Sequence, residues 1–244
     1  MISIRTGRIA AVIATAALLL AAVAQAADGP ATKVSASITP SDVGRNTPVA
    51  LKLNLSIDHP ADSVLQLTRV VVLFPKGSHQ NGKLFRSCSV ETLTRARGRL
   101  RACPPGSMIG RGIATGTAVD LGVTSTGRMT LFNGPGGKSV TFNVNITNPA
   151  AVNTTFSAPL KKLSGRYAYR LTANIPPSLQ TIVGGPIIVH SINTKTAAYK
   201  TINGVRRGYI EAGPCPKGGR APVNVTFGFG DGSTSSANTN VTCK

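Results

Sequence analysis

Aromatic residues are scarce in this sequence. It contains no tryptophan, and aromatic side chains make up 5% of its 244 residues. Proteins that bind single-stranded nucleic acid stack the bases on aromatic side chains, so this scarcity argues against specific recognition of nucleic acid. The chain is rich instead in threonine, serine, asparagine, valine and glycine. Such a composition is typical of an all-β extracellular module.

Acidic residues are also few. Eight Asp and Glu stand against 27 Lys and Arg, which gives a formal net charge of +19. Glycoside hydrolysis needs two carboxylates that face one cleft. The acids of this chain are scattered without a close motif, so no catalytic residue is predicted. The open alternative is a carbohydrate-active enzyme on a β-sandwich, in which Asp120, Glu211 and His190 meet in space.

Cysteine and histidine are too sparse for a recognisable metal site. The chain has four cysteines and three histidines, and no pair of cysteines shows the C-x-x-C spacing of zinc sites. No metal and no cofactor are therefore predicted. In an exported chain, four cysteines indicate two disulfide bonds. Of the possible pairings, we favour Cys88 with Cys103 and Cys215 with Cys243, because each closes a local excursion.

Only one long apolar run is present, at residues 9–23, after Arg5 and Arg8 and before Ala24-Gln25-Ala26. It is shorter than the roughly 20 residues that span a bilayer, and its basic start and A-x-A end are typical of a secretory signal peptide. We predict a signal peptide at residues 1–26. The remaining chain, with 25 basic and 8 acidic residues, is expected to be secreted or associated with the cell surface.

Apolar and polar residues alternate through most of the remaining chain. The pattern is clearest at residues 49–57, and turn signals such as Asn203-Gly204 separate about eleven short segments of this kind. We predict one all-β domain over residues 27–244, an antiparallel β-sandwich with jelly-roll or Greek-key connections. Two smaller sandwiches that meet near residue 121 are the alternative.

Residues 73–116 interrupt the alternation and contain two of the four cysteines. Ser89 is placed to cap a short helix over residues 90–93, with Glu91 in the first turn and Gly98 as a natural stop. The sequence thus predicts one short helix inside an excursion that a disulfide closes.

Arginines alternate along the second half of this excursion, and we interpret them as a basic patch. An extended segment with this period places its guanidinium groups on one side. The predicted patch consists of Arg95, Arg97, Arg99, Arg101, Arg111 and Arg128. It would attract anionic polymers of the cell envelope, and the attraction would weaken in salt. The alternative is a purely structural surface protein whose charge only keeps it soluble.

Two stretches resemble known proteins. Residues 70–244 carry Cys88, Cys103-Pro104, Ile109-Gly110-x-Gly112-x-Ala114, Cys215-Pro216 and a late Cys243, and this pattern resembles a widespread group of secreted proteins of actinobacteria. The resemblance implies export and a β-rich fold, but no activity. Residues 227–234 are similar to the FGDGS-type signature of PKD-like surface modules. We interpret that stretch as a β-hairpin that matches by chance.

Overall fold

The computed structural model describes residues 29–244. The predicted signal peptide at residues 1–26 lies outside this part of the chain. Within it, no helix combines the length and apolar character that a membrane crossing requires.

Strands dominate the described residues, which form one α-helix, α1 (Val90–Arg95), and seventeen strands. The strands are β1 (Ala31–Thr39), β2 (Thr47–Pro48), β3 (Ala50–Asp58), β4 (Leu67–Pro75), β5 (Ser78–Gln80), β6 (Met108–Ala118), β7 (Val123–Asn133), β8 (Ser139–Ile146), β9 (Val152–Lys162), β10 (Tyr167–Asn174), β11 (Thr181–Ile182), β12 (Gly185–Thr196), β13 (Tyr199–Ile202), β14 (Val205–Gly208), β15 (Ile210–Ala212), β16 (Arg220–Phe229) and β17 (Thr234–Thr242).

The long strands form one continuous antiparallel sheet. Its order is β1-β3-β12-β6-β7-β8-β9-β10-β4-β16-β17, and β11 pairs with β12 at one end. The sheet nearly closes, because the chain just before β1 meets the start of β17 and the Gly29 amide donates to the Thr234 carbonyl at 3.2 Å. Two small sheets, β13-β14 and β2-β15-β5, complete the fold. The predicted all-β class, with antiparallel pairing and one short helix, is confirmed. The long strands lie in one nearly closed, barrel-like sheet, whereas the prediction placed them in the two facing sheets of a sandwich.

Most strands bury one face and expose the other, as the alternation in the sequence predicts. In β3, Leu51, Leu53 and Leu55 are buried, whereas Lys52 and Asn54 between them are exposed. The buried faces of β3, β4, β7, β8 and β16 contribute to one apolar core. The outward faces therefore carry the polar and charged side chains of the sheet.

The excursion between β5 and β6 contains the predicted capped helix. The Ser89 hydroxyl accepts a hydrogen bond from the Thr92 amide at 3.1 Å, and Leu93 is fully buried in a small cluster with Cys88, Cys103 and Phe132. Cys88 and Cys103 are bonded, as predicted. The helix runs two residues further than predicted, to Arg95.

The prediction that the alternating arginines lie on one extended segment is wrong. Arg95 ends α1, Arg97 has a left-handed backbone with φ of 50°, and Arg101 lies in a 3-10 turn at Leu100–Ala102. Helical and turn conformations rotate successive side chains to different sides, so the alternating spacing does not place these guanidinium groups in one row. The capped helix and the disulfide determine the local backbone here.

The C-terminal hairpin follows the prediction closely. β16 and β17 pair from Arg220 with Thr242 to Gly228 with Thr234, and the turn between them is the FGDGS stretch. The Asp231 carboxylate accepts from the Ser233 amide at 2.8 Å inside that turn. The bond between Cys215 and Cys243 closes the open end of the hairpin, which confirms the second predicted pairing.

We expect the double variant Cys215→Ser/Cys243→Ser to lose about 3–4 kcal/mol in the free energy of unfolding, because the unfolded chain gains the freedom that this loop closure removes. Urea denaturation of both proteins measures the difference. The loss should appear as a lower midpoint with a similar slope. An unchanged midpoint would show that the bond does not clamp the hairpin.

Candidate functional site: a basic groove on the outer face of the sheet

Strand register places a row of cations on the outer face of the long sheet. Lys195 on β12 lies directly opposite Lys52 on β3 on one side and opposite Arg111 on β6 on the other. The row continues through Thr130 on β7 to Asn143 on β8. Directly opposed side chains on one face lie about 5 Å apart at Cβ. Three positive charges therefore stand next to one another across three neighbouring strands.

A second row runs beside the first, two residues along each strand. It begins with Asn54 opposite Asn193. Asn193 in turn lies opposite Ile113, and Ile113 lies opposite Arg128. Asn145 and Asn153 complete the row on β8 and β9. This row adds a fourth cation, diagonal to Arg111, and a series of amide groups that can donate and accept hydrogen bonds.

The two rows form the floor of an open groove of about 890 Å³. One wall is the end of the disulfide-closed excursion, where Gly98 and Leu100 contribute to the lining. Gly98 packs so tightly that a Cβ atom there would lie 2.1 Å from Asn153 Oδ1. The lining holds four cations, five asparagines and no acidic residue. The cations are Lys52, Arg111, Arg128 and Lys195, and the asparagines are Asn54, Asn143, Asn145, Asn153 and Asn193.

Nothing in the described chain neutralises the four groove cations by direct pairing. Residues 29–244 contain two salt bridges, Glu91 with Arg95 and Glu211 with Arg207, and neither includes a groove residue. Like charges that lie directly opposite each other across strands destabilise a sheet. The row through Lys52, Lys195 and Arg111 thus opposes folding, and a bound anion would relieve this repulsion.

Hydrogen bonds fix the far end of the groove. Asn143, which is 3% exposed, donates through Nδ2 to Asn153 Oδ1 at 2.9 Å and to Thr155 Oγ1 at 3.1 Å. Asn153 is thereby held against Gly98 of the excursion. Near the middle, Ile113 is 47% exposed and offers an apolar contact surface. The groove therefore combines cations, oriented amides and a small apolar patch.

The structure brings together only part of the predicted basic patch. Arg111 and Arg128 line the groove, but Arg95, Arg97, Arg99 and Arg101 do not, even though all four are exposed. Arg95 pairs instead with Glu91 at 2.7 Å.

Lys52 and Lys195 belong to the groove but not to the basic patch predicted from the sequence. Their outward orientation can be read from the strand pattern, because each alternates with residues that face the interior. That the two lysines lie close together cannot be read from the sequence, because β3 and β12 are far apart in the chain. Only the order of strands in the sheet makes these two strands neighbours.

Glu211, which the alternative enzyme site would need as a reactive carboxylate, is already occupied by hydrogen bonds. Glu211 lies on β15 in a small separate sheet and is 1% exposed. Its carboxylate accepts from Arg207 Nε at 2.7 Å, from Arg207 Nη2 at 3.0 Å and from the Gly208 amide at 3.1 Å. Burial opposes ionisation, but the hydrogen bonds outweigh it and lower the pKa of Glu211. An ionised, fully bonded carboxylate acts as a structural anchor, and it is poorly suited to proton transfer.

His190 and Asp120 lie elsewhere, and Asp120, in the turn between β6 and β7, packs against Gly185 at the start of β12. His190 is exposed on β12, and its Nε2 lies 2.8 Å from Thr117 Oγ1. His59 approaches it with ring centroids 5.9 Å apart and bonds through Nε2 to the Val189 carbonyl at 3.0 Å. Burial and then the nearby His190 lower the pKa of His59. Within residues 29–244, no cluster of three metal-ligating side chains accompanies this pair.

Comparison with known proteins adds no relative. No protein-family model, no curated protein and no solved structure matches the chain. The resemblance to secreted actinobacterial proteins therefore stays a prediction.

We expect Glu211→Gln to lower the free energy of unfolding by about 1–2 kcal/mol at neutral pH, because Arg207 and Gly208 lose a charged acceptor. The folded-state pKa of Glu211 lies below its ordinary 4.5, so its contribution is complete above that pH and is lost as the pH falls through the folded value. The difference in the free energy of unfolding between the native protein and the variant should therefore become smaller in acid. Denaturant titrations at several pH values measure it.

Glu91→Gln is the matched control, because it breaks the other Glu–Arg pair four residues apart. That pair is exposed on both sides, so its loss should cost below about 0.5 kcal/mol. Equal losses for the two variants, or a gap that widens in acid, would contradict the anchoring role of Glu211.

Proposed function

We propose that the protein is an exported binding module that holds an anionic, hydroxyl-rich polymer of the cell envelope in its basic groove. The observation that carries this proposal is the cross-strand row of Lys52, Lys195 and Arg111, with Arg128 beside it, in a lining without a carboxylate. A groove of one charge sign concentrates counter-charged ligands and speeds their association. The open shape suits a chain that lies across several strands.

The other groove residues indicate the kind of polymer. The arginine fork binds carboxylate and phosphate groups through two hydrogen bonds, and lysine adds a compact charge. Asparagine amides match hydroxyl groups, since they both donate and accept. Ile113 and Leu100 offer contact to the apolar faces of sugars or polyols. Acidic polysaccharides and polyol phosphates share this chemistry. Nucleic acid fits less well, because the lining has no aromatic side chain for base stacking.

Export is supported by two independent features. The N-terminal sequence has the basic, apolar and A-x-A parts of a signal peptide. The two disulfide bonds are of the kind that persists in oxidising compartments. An exported basic protein meets anionic envelope polymers, and the groove gives it a means of retention there.

The double variant Lys195→Gln/Arg111→Gln tests the groove. We expect its affinity for polygalacturonate and for a glycerol-phosphate polymer to fall about tenfold or more at low salt, because two charge-assisted contacts are lost. Binding of the native protein should weaken steeply with added salt, and the variant should show a shallower dependence. Neither the native protein nor the variant should bind neutral dextran. Biolayer interferometry on immobilised polymer measures all of these.

Arg97→Gln/Arg99→Gln is the control, because it removes the same charge from the excursion without altering the groove lining. It should retain most of the affinity. Equal losses of affinity in both double variants would indicate that the overall positive charge of the protein, and not the groove, causes binding. No binding by the native protein to either polymer, at any salt concentration, would favour the purely structural alternative.

A further inference from the structure

The interior of the long sheet contains a chain of three adjoining cavities. The central one measures about 120 Å³ and is lined mainly by apolar side chains of β3, β4, β7, β8, β10 and β12. A cavity of about 60 Å³ lies towards the Cys215–Cys243 bond, and one of about 80 Å³ lies towards the opposite end. Protein interiors are normally packed with few voids larger than a water molecule. Three adjoining voids are therefore an unusual feature of this core.

The cavities are separated by side chains that they share. Phe74, Gln80 and Ile210 line both the central cavity and the one near the disulfide. Met129 and Ile192 line both the central cavity and the far one. A methionine side chain is flexible and adapts to its surroundings. Small side-chain rotations would thus join the three voids into one narrow channel, which is apolar except beside the disulfide, where Lys76 and Glu211 belong to the lining.

The number of strands in the long sheet explains why space is left in its interior. The space inside a closed sheet grows with the number of strands, and eleven strands follow one another around this interior. Four aromatic side chains, Phe74, Phe142, Phe156 and Tyr209, line the central cavity without filling it. On β10, Leu171 and the small side chain of Ala173 line this cavity.

Two residues of the central lining carry polar groups whose hydrogen-bonding capacity is unused. Gln80 Oε1 and the Tyr209 hydroxyl are both buried, and neither has a hydrogen-bond partner within the described chain. Tyr209 is 2% exposed, and burial raises the pKa of its hydroxyl, which keeps it a neutral donor. Buried polar groups in native proteins are nearly always paired. An unpaired acceptor and an unpaired donor in one lining therefore need an explanation.

We propose that this interior binds an unbranched aliphatic chain that ends in a neutral hydroxyl group. A hydroxyl group both accepts and donates, so it matches the unpaired Tyr209 hydroxyl and the unpaired Gln80 Oε1 of this lining. The central lining contains no charged side chain, which disfavours a carboxylate or an amine at this position. The aliphatic chain fills the apolar channel. The cavity beside the disulfide also reaches Lys76, Gly77 and Pro214 in surface loops, which gives the ligand an access route.

The probe for this site is 1-octanol, added to the purified protein and followed by isothermal titration calorimetry. We expect one site per chain with a Kd of about 10–100 µM, the range that a small apolar ligand reaches. Octanoate at pH 7 should bind at least tenfold more weakly, because its charge has no partner in the central lining. High salt should leave octanol binding unchanged, which separates this site from the basic groove.

Ala173→Leu fills the central cavity and should weaken octanol binding at least tenfold. Ala168→Leu, the same change on the same strand but outside the three linings, should leave the affinity within twofold. Tyr209→Phe removes the donor and should weaken 1-octanol about fivefold while it leaves binding of octane unchanged.

A chain-length series provides a test that needs no variant. Affinity should rise about fourfold with each added CH₂ group and then fall once the alcohol outgrows the channel, whereas adsorption to the surface would continue to rise. The proposal is overturned if 1-octanol shows no saturable binding, if Ala173→Leu binds as the native protein does, or if the series has no maximum. Those results would mean that the cavities hold only solvent or remain unoccupied.

Discussion

The antiparallel hydrogen-bond ladder of the long sheet is the constraint from which both candidate sites arise. Side chains alternate between the two faces of a strand, so neighbouring residues on one strand belong to different environments. On β3, Leu53 faces the central cavity and Asn54 faces the groove. On β12, Ile192 and Asn193 are divided in the same way, as are Leu131 and Thr130 on β7. The polar groove and the apolar channel are thus two sides of the same strands, and a register shift of one residue would destroy both.

The distribution of charge is uneven. The two acids that form salt bridges in the described chain pair with arginines outside the groove. Of these two acids, Glu91 is exposed and Glu211 is buried. The groove cations are left beside one another, which raises the electrostatic energy of the folded state. The sheet tolerates this arrangement because burial of the apolar faces, rather than surface charge, fixes the strand order. Exposed cations in water also repel only weakly, and salt screens them further.

The disulfide-closed excursion has a structural role that depends on its helix more than on its arginines. Leu93 and Phe132 pack around the Cys88–Cys103 bond in a cluster separate from the main core. That cluster holds Gly98 against Asn153, which in turn accepts a hydrogen bond from Asn143 on the groove floor. The excursion therefore forms a fixed wall of the groove, and most of its arginines lie outside the lining.

The sequence by itself determined the features that depend on neighbouring residues. The strands, the Ser89 cap and the Asn203-Gly204 and FGDGS turns follow from local patterns of polarity and turn residues. The cysteine spacing favoured the two disulfide pairings that form, without excluding the others. Only the tertiary structure decided which strands are neighbours, and hence that Lys52, Lys195 and Arg111 form one row and that Gln80 and Tyr209 line one cavity. The physical reason is that strand order depends on long-range pairing among many apolar faces of similar character. No short stretch of sequence specifies which of them will meet.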